Sequence, residues 1–98
     1  MKKKRSGGFF VYMLKCSDKT YYTGYTPDVT GRLDAHNRAK GAKYTRGRLP
    51  VELVWQKKYR TKGRAMSVEA AVKKLSREQK QELVNGGVLS RLIRERKK

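Results

Sequence analysis

Ninety-eight residues make one domain, and 26 Lys and Arg against 8 Asp and Glu leave a formal charge of +18. A polyanion relieves self-repulsion at that charge, so nucleic acid is the first partner to expect and an anionic membrane surface the second. The single Cys16 excludes an internal disulfide, the single His36 excludes a Cys/His zinc site, and no apolar run approaches the roughly 20 residues of a membrane span.

Residues 1–8 open on Lys2, Lys3, Lys4 and Arg5 and read as a basic tail. Lys15 closes the following apolar stretch early and no small-residue cleavage site succeeds it, so the expectation is a strand rather than a signal sequence. A soluble chain in the reducing cytoplasm is the expectation. From Phe9 to Leu14 every residue is apolar or aromatic, which predicts a strand covered on both faces, in the middle of a sheet. Ser17-Asp18-Lys19 supplies a turn, and Tyr21 to Tyr25 the returning strand. Thr26-Pro27-Asp28 marks a helix start with Thr26 as the capping hydroxyl. That helix should run to Asn37 or Lys40 with Val29 and Leu33 facing the core. Gly41, Gly47 and Pro50 punctuate a basic loop, and Val51 to Trp55 forms a third strand with Val51, Leu53 and Trp55 on one side.

The longest helix begins near Gly63–Arg64 and carries its apolar stripe on Ala65, Val68, Ala71, Val72 and Leu75. Ser76 and Gln79 form a capping box that opens a second helical segment to about Val84, stopped by Asn85-Gly86-Gly87. A short basic helix from Val88 to Arg96 finishes the chain. The order β-β-α-β-α predicts an α+β domain over residues 9–84: a small three-stranded, mostly antiparallel sheet flanked by helices, with 85–98 as a basic extension.

Between residues 38 and 64, ten Lys or Arg face Glu52 alone, with Tyr44 and Trp55 among them. Cations track a phosphate backbone and aromatic rings offer stacking faces, a combination suited to nucleic acid. Several enzyme classes fall away. A Ser-His-Asp set would rest on the lone His36 without any Gly-x-Ser-x-Gly, there is no phosphate loop of the Gly-x-x-x-x-Gly-Lys-Ser/Thr type, and the acids are scattered singly. Arg32 and His36 share a face of the first helix, His36 within about 20° of Val29. Taken singly, Arg32 reads as a snorkelling side chain, His36 as a satisfied core histidine, Glu69 as the partner of Lys73 at i,i+4, and Tyr12 and Tyr22 as edges of a core, and none of them establishes a function.

Their order along the chain is more specific. Phe10-Val11-Tyr12, then Tyr22-Thr23-Gly24, then Arg32, His36 and a late Glu69 together resemble the GIY-YIG nuclease family. His36-Asn37, Lys43-Tyr44-Thr45-Arg46 and Pro50 to Val54 look like its small single-domain bacterial branch. Phe10 stands where the motif has its first glycine, and Thr23 where it has its second isoleucine. The resemblance implies a catalytic set of Tyr12, Tyr22, Arg32, His36 and Glu69, with Glu69 holding one Mg²⁺ or Mn²⁺. Arg32 would grip the phosphate, Tyr12 would be general base or relay, Tyr22 would position water or phosphate, and His36 would share proton transfer. Lys43, Tyr44, Arg46 and Arg48 would track the nucleic-acid backbone. The implied activity is metal-dependent hydrolysis of phosphodiesters in DNA, structured or damaged as in repair and recombination, with RNA a further possible partner and no small-molecule cofactor. The alternative is a non-catalytic basic nucleic-acid-binding module on a nuclease-like scaffold. A peripheral membrane role fits less well, because the long helix offers mainly alanine and valine as apolar anchors.

Overall fold

Three strands, β1 (Phe9–Lys15), β2 (Tyr21–Thr26) and β3 (Glu52–Tyr59), pair antiparallel in the order β2-β1-β3. The computed structural model describes residues 8–96; the cations at positions 2–5 and Lys97 and Lys98 lie outside them. β1 is central for the reason its sequence suggests. Val11, Tyr12, Met13 and Leu14 are all buried, which only a strand covered on both faces allows.

Alternation along β1 divides the core in two. Met13 points into a cluster with Val72, Leu75, Leu83 and Leu92. These come from α3 (Lys62–Lys73), α4 (Arg77–Val84), α5 (Leu89–Arg96) and the α3–α4 connection. Tyr12 and Leu14 point the other way, with Cys16 and Val51, and Leu33 of α1 (Val29–Asn37) packs against them. A further short helix, α2 (Lys43–Arg46), covers the same face. Among the described residues no helix is long and apolar enough to cross a membrane.

Four local expectations are corrected. The first helix is capped by Asp28, whose carboxylate accepts from the Gly31 N–H, while Thr26 ends β2 and accepts from the Asp28 N–H. The loop after it is not wholly irregular, since α2 forms inside it. β3 runs on to Tyr59, well past Trp55. Finally, Val51, Leu53 and Trp55 do not share a side. Met13 pairs with Trp55 but Leu14 with Leu53, so Val54 is a bulge and the facing of the strand switches there. Leu53 therefore joins Tyr12, whereas Trp55 joins Met13.

The capping box forms as expected, with Ser76 and Gln79 making both of its bonds. α3 begins at Lys62, slightly ahead of Gly63–Arg64, because Thr61 caps it by accepting from the Arg64 N–H. Gly86 takes φ +105 after α4, a conformation open to glycine. α5 then returns Leu92 to full burial.

Candidate active site

Tyr12 sits in the middle of the central strand, opposite Gly24 on β2. A Cβ at Gly24 would lie 2.7 Å from the Tyr12 hydroxyl, so the ring can cross β2 only because that position has no side chain. Beyond it the hydroxyl meets His36, the fully buried residue of α1, at 3.0 Å from Nε2. His36 Nδ1 lies 2.8 Å from Oγ1 of Thr45 on α2, and that hydroxyl donates to the Ala42 carbonyl at 2.9 Å. Gly41 makes room for this ring as Gly24 does for the phenol, since a Cβ there would overlap Nδ1. Tyr22 completes the cluster, its ring centroid 5.2 Å from His36 and 6.3 Å from Tyr12.

Charge reaches this buried cluster from two elements. Burial pushes the Tyr12 phenol up to about 12, against a hydrogen bond and positive charge from Arg32 that pull it down. The negative charge of Glu69 raises it further. Glu69 on α3 thus acts on the same hydroxyl as Arg32 on α1. Burial, and then Arg32, hold the His36 imidazole below its ordinary range, so it is neutral at pH 7. Glu69 is itself sheltered, its side chain 18% exposed, and its Oε2 accepts from Lys73 Nζ at 3.2 Å. The i,i+4 pair read from the sequence therefore forms at the edge of the tyrosine cluster.

The residues expected to track a backbone divide by facing. Lys43 and Arg46 are exposed on α2, on either side of the buried Thr45. Tyr44 stacks on Tyr22 with centroids 6.0 Å apart, and the Arg48 guanidinium lies 4.0 Å over its ring. Arg48 also donates to the Tyr44 carbonyl and pairs with Asp18 at 2.9 Å, so it braces Tyr44 against the β1–β2 turn. Beside these rings a cleft of about 460 Å³ is lined by Tyr21, Tyr22, Thr23, Tyr44, Lys73 and Lys80. A larger groove, about 510 Å³ between Trp55, Tyr59, Val68 and Ile93, opens on the Met13 face, away from Tyr12.

Sequence reasoning passed over Thr45, Gly41 and the Lys73–Lys80 cleft. Nothing in a lone threonine between cations marks it as buried, and only the fold brings Lys80 of α4 beside Lys73 of α3. Among the described residues no three His, Cys, Asp or Glu side chains gather, so a metal here would rest on Glu69 singly. A single sheltered carboxylate suits Mg²⁺, which keeps several waters and takes phosphate oxygen as a ligand, and an ion there would share Glu69 with the Lys73 ammonium.

Residues 8–82 match the GIY-YIG catalytic domain. The chain is 49% identical over 78 residues to UPF0213 protein SERP0126 of Staphylococcus epidermidis, an overlap of 80% of this chain and 95% of that protein. It is 49% identical over 75 residues to a UPF0213 protein of Staphylococcus aureus, covering 76% and 92%. The solution NMR structure of UPF0213 protein BH0048 from Bacillus halodurans shares 49% identity at a TM-score of 0.52, over 80% of this chain and 83% of that one. That of EF2693 from E. faecalis shares 39% at 0.56, over 87% and 88%.

Proposed function

The chain belongs to the GIY-YIG nuclease family, and we propose that it is a divalent-metal-dependent endonuclease hydrolysing phosphodiester bonds of structured or damaged DNA. The observation that carries this is the Tyr12 hydroxyl, bonded to a neutral imidazole and acted on by both the Arg32 guanidinium and the Glu69 carboxylate. A phenol with a pKa of about 12 is ionised in roughly one molecule in 10⁵ at pH 7, so a standing phenolate is not the base. Tyr12 acts as a relay. Its oxygen takes a proton from the attacking water as its own proton passes to Nε2 of His36, which becomes the imidazolium, and the hydroxide formed bonds to phosphorus. The bond from phosphorus to the leaving sugar oxygen breaks in the same displacement.

Arg32 holds the non-bridging oxygens by charge-assisted bonds and stays charged throughout. Glu69 is the residue that would hold Mg²⁺ or Mn²⁺. When bound there, the ion supplies neutralisation of phosphate charge and stabilises the leaving oxygen. Tyr22 walls the pocket beside the water. Phosphates further along the strand meet Lys43 and Arg46 on α2 and the Lys73–Lys80 cleft.

Nicking of supercoiled plasmid in Mg²⁺ or Mn²⁺ tests this reading. Wild type should nick, while Glu69→Gln and Arg32→Ala lose at least about 10²-fold in rate, with Glu69→Gln still binding DNA. Equal nicking by wild type and Glu69→Gln would overturn it. Binding without metal-dependent turnover in any variant would instead support the non-catalytic module, which the charge of +18 alone suffices to explain.

A further inference from the structure

We infer that Thr45 is a positioning residue of this site, whose hydroxyl fixes His36 in its Nδ1–H tautomer and so keeps Nε2 bare to receive the Tyr12 proton. The inference deepens the relay proposed above and rests on it for its functional meaning; the hydrogen-bond argument stands apart from it.

Three contacts run in series: the Ala42 carbonyl to Thr45 Oγ1 at 2.9 Å, Oγ1 to His36 Nδ1 at 2.8 Å, and His36 Nε2 to the Tyr12 hydroxyl at 3.0 Å. A carbonyl only accepts, so the first bond uses the single proton of the Thr45 hydroxyl. Oγ1 can then only accept from Nδ1, which must carry hydrogen. In a neutral imidazole this leaves Nε2 as a lone pair, and the Tyr12 O–H donates to it. The opposite tautomer would need the Thr45 proton at Nδ1, leaving the 2.9 Å contact to Ala42 without one. Only the Nδ1–H form of the neutral ring makes all three contacts hydrogen bonds.

Solvent offers no substitute, since His36 and Thr45 are both fully buried. The imidazolium would also satisfy Thr45, but burial and the nearby Arg32 charge oppose it in the resting protein. The backbone explains why Thr45 can do this. α2 is a single turn in which the Thr45 N–H also bonds the Ala42 carbonyl at 3.1 Å, and that turn aims the hydroxyl inward between the exposed Lys43 and Arg46. Partners that orient metal-ligating imidazoles are commonly worth about 10–100-fold in metal affinity or activity, and loss of the Thr45 hydroxyl is expected to fall in the same range.

His36 is the chain's single histidine, so a long-range ¹H–¹⁵N correlation spectrum of the full ¹⁵N-labelled protein contains one imidazole. At pH 7.5, roughly one unit above the ordinary imidazole pKa, Nδ1 should show the protonated, pyrrole-type shift and Nε2 the bare, pyridine-type shift. Thr45→Val, similar in shape without the hydroxyl, should move the pattern toward Nε2–H. Thr45→Ser should restore it. In single-turnover nicking, Thr45→Val should lose about 10–100-fold in rate at saturating DNA with binding unchanged, and Thr45→Ser should recover. A wild-type spectrum with Nε2 protonated, a Thr45→Ser spectrum that loses the Nδ1–H pattern, or a folded Thr45→Val that keeps both pattern and rate would overturn the inference. Absence of nicking by wild type with the Nδ1–H pattern intact would instead remove the relay while leaving the hydrogen-bond assignment.

Discussion

Tyr12 and Gly24 work as one unit, because the phenol occupies the space a side chain at 24 would need. Tyr12 is buried and held by His36, so it cannot swing aside. Gly24→Ala should cost about 1–3 kcal/mol in urea denaturation, as overpacking does, and should displace the hydroxyl from Nε2. The depressed imidazole of His36 carries a pH signature of determined sign. The unfolded ring takes up its proton near pH 6.5 and the folded ring only below that, so the unfolded state binds more protons across the window. The contribution of His36 to stability is therefore complete above about pH 6.5 and is lost as pH falls through the lower folded value. It is distinct from that of Asp18, which Thr20 and Arg48 hold below the carboxylate range and whose loss begins near pH 4. Urea titrations between pH 5 and 7.5 should show the decline, and His36→Gln should flatten it. Nicking should fall on the same acid limb, because an imidazolium cannot accept the Tyr12 proton.

Elements hold these residues by different signals, and the signals differ in how far a sequence reveals them. The doubly apolar β1, the capping box at Ser76 and the stripe of α3 act through neighbours within a turn or a pleat, so chain order exposes them. The bulge at Val54 arises from a register against β1 some forty residues earlier, and no local pattern in β3 records it. α2 likewise turns Thr45 inward to His36, a contact across nine residues that composition cannot foretell. Asp28 rather than Thr26 caps α1 because pairing with Phe10 keeps Thr26 in β2. α5 looks from its composition like a basic extension, yet Leu92 is fully buried against the Met13 cluster. Leu92→Ala should accordingly cost about 2–5 kcal/mol by chemical denaturation. A change near zero would mean that α5 is not anchored there.

Taken as a whole, the molecule separates two jobs that the amino-acid order also separates. In the proposed function, charge spread over the surface would bring the polyanion, and the chemistry would fall to a small buried cluster of rings on which Arg32 and Glu69 both act. Affinity for duplex DNA should therefore fall about 10³-fold between 50 and 200 mM salt if about six phosphates are engaged, whether or not Glu69 is intact. The tyrosines, Arg32, His36 and Glu69 were legible because their order and spacing resemble a family pattern, while Thr45 and Lys80 join them only through the folding of α2 and α4. The central claim is that a proton leaves water through the Tyr12 hydroxyl toward His36. Single-turnover nicking by Tyr12→Phe, at saturating DNA and metal, tests it most directly, since the ring and its packing remain and one oxygen is removed. The account predicts a rate at least about 10²-fold below wild type with unchanged DNA affinity; a variant that nicks at the wild-type rate would contradict it.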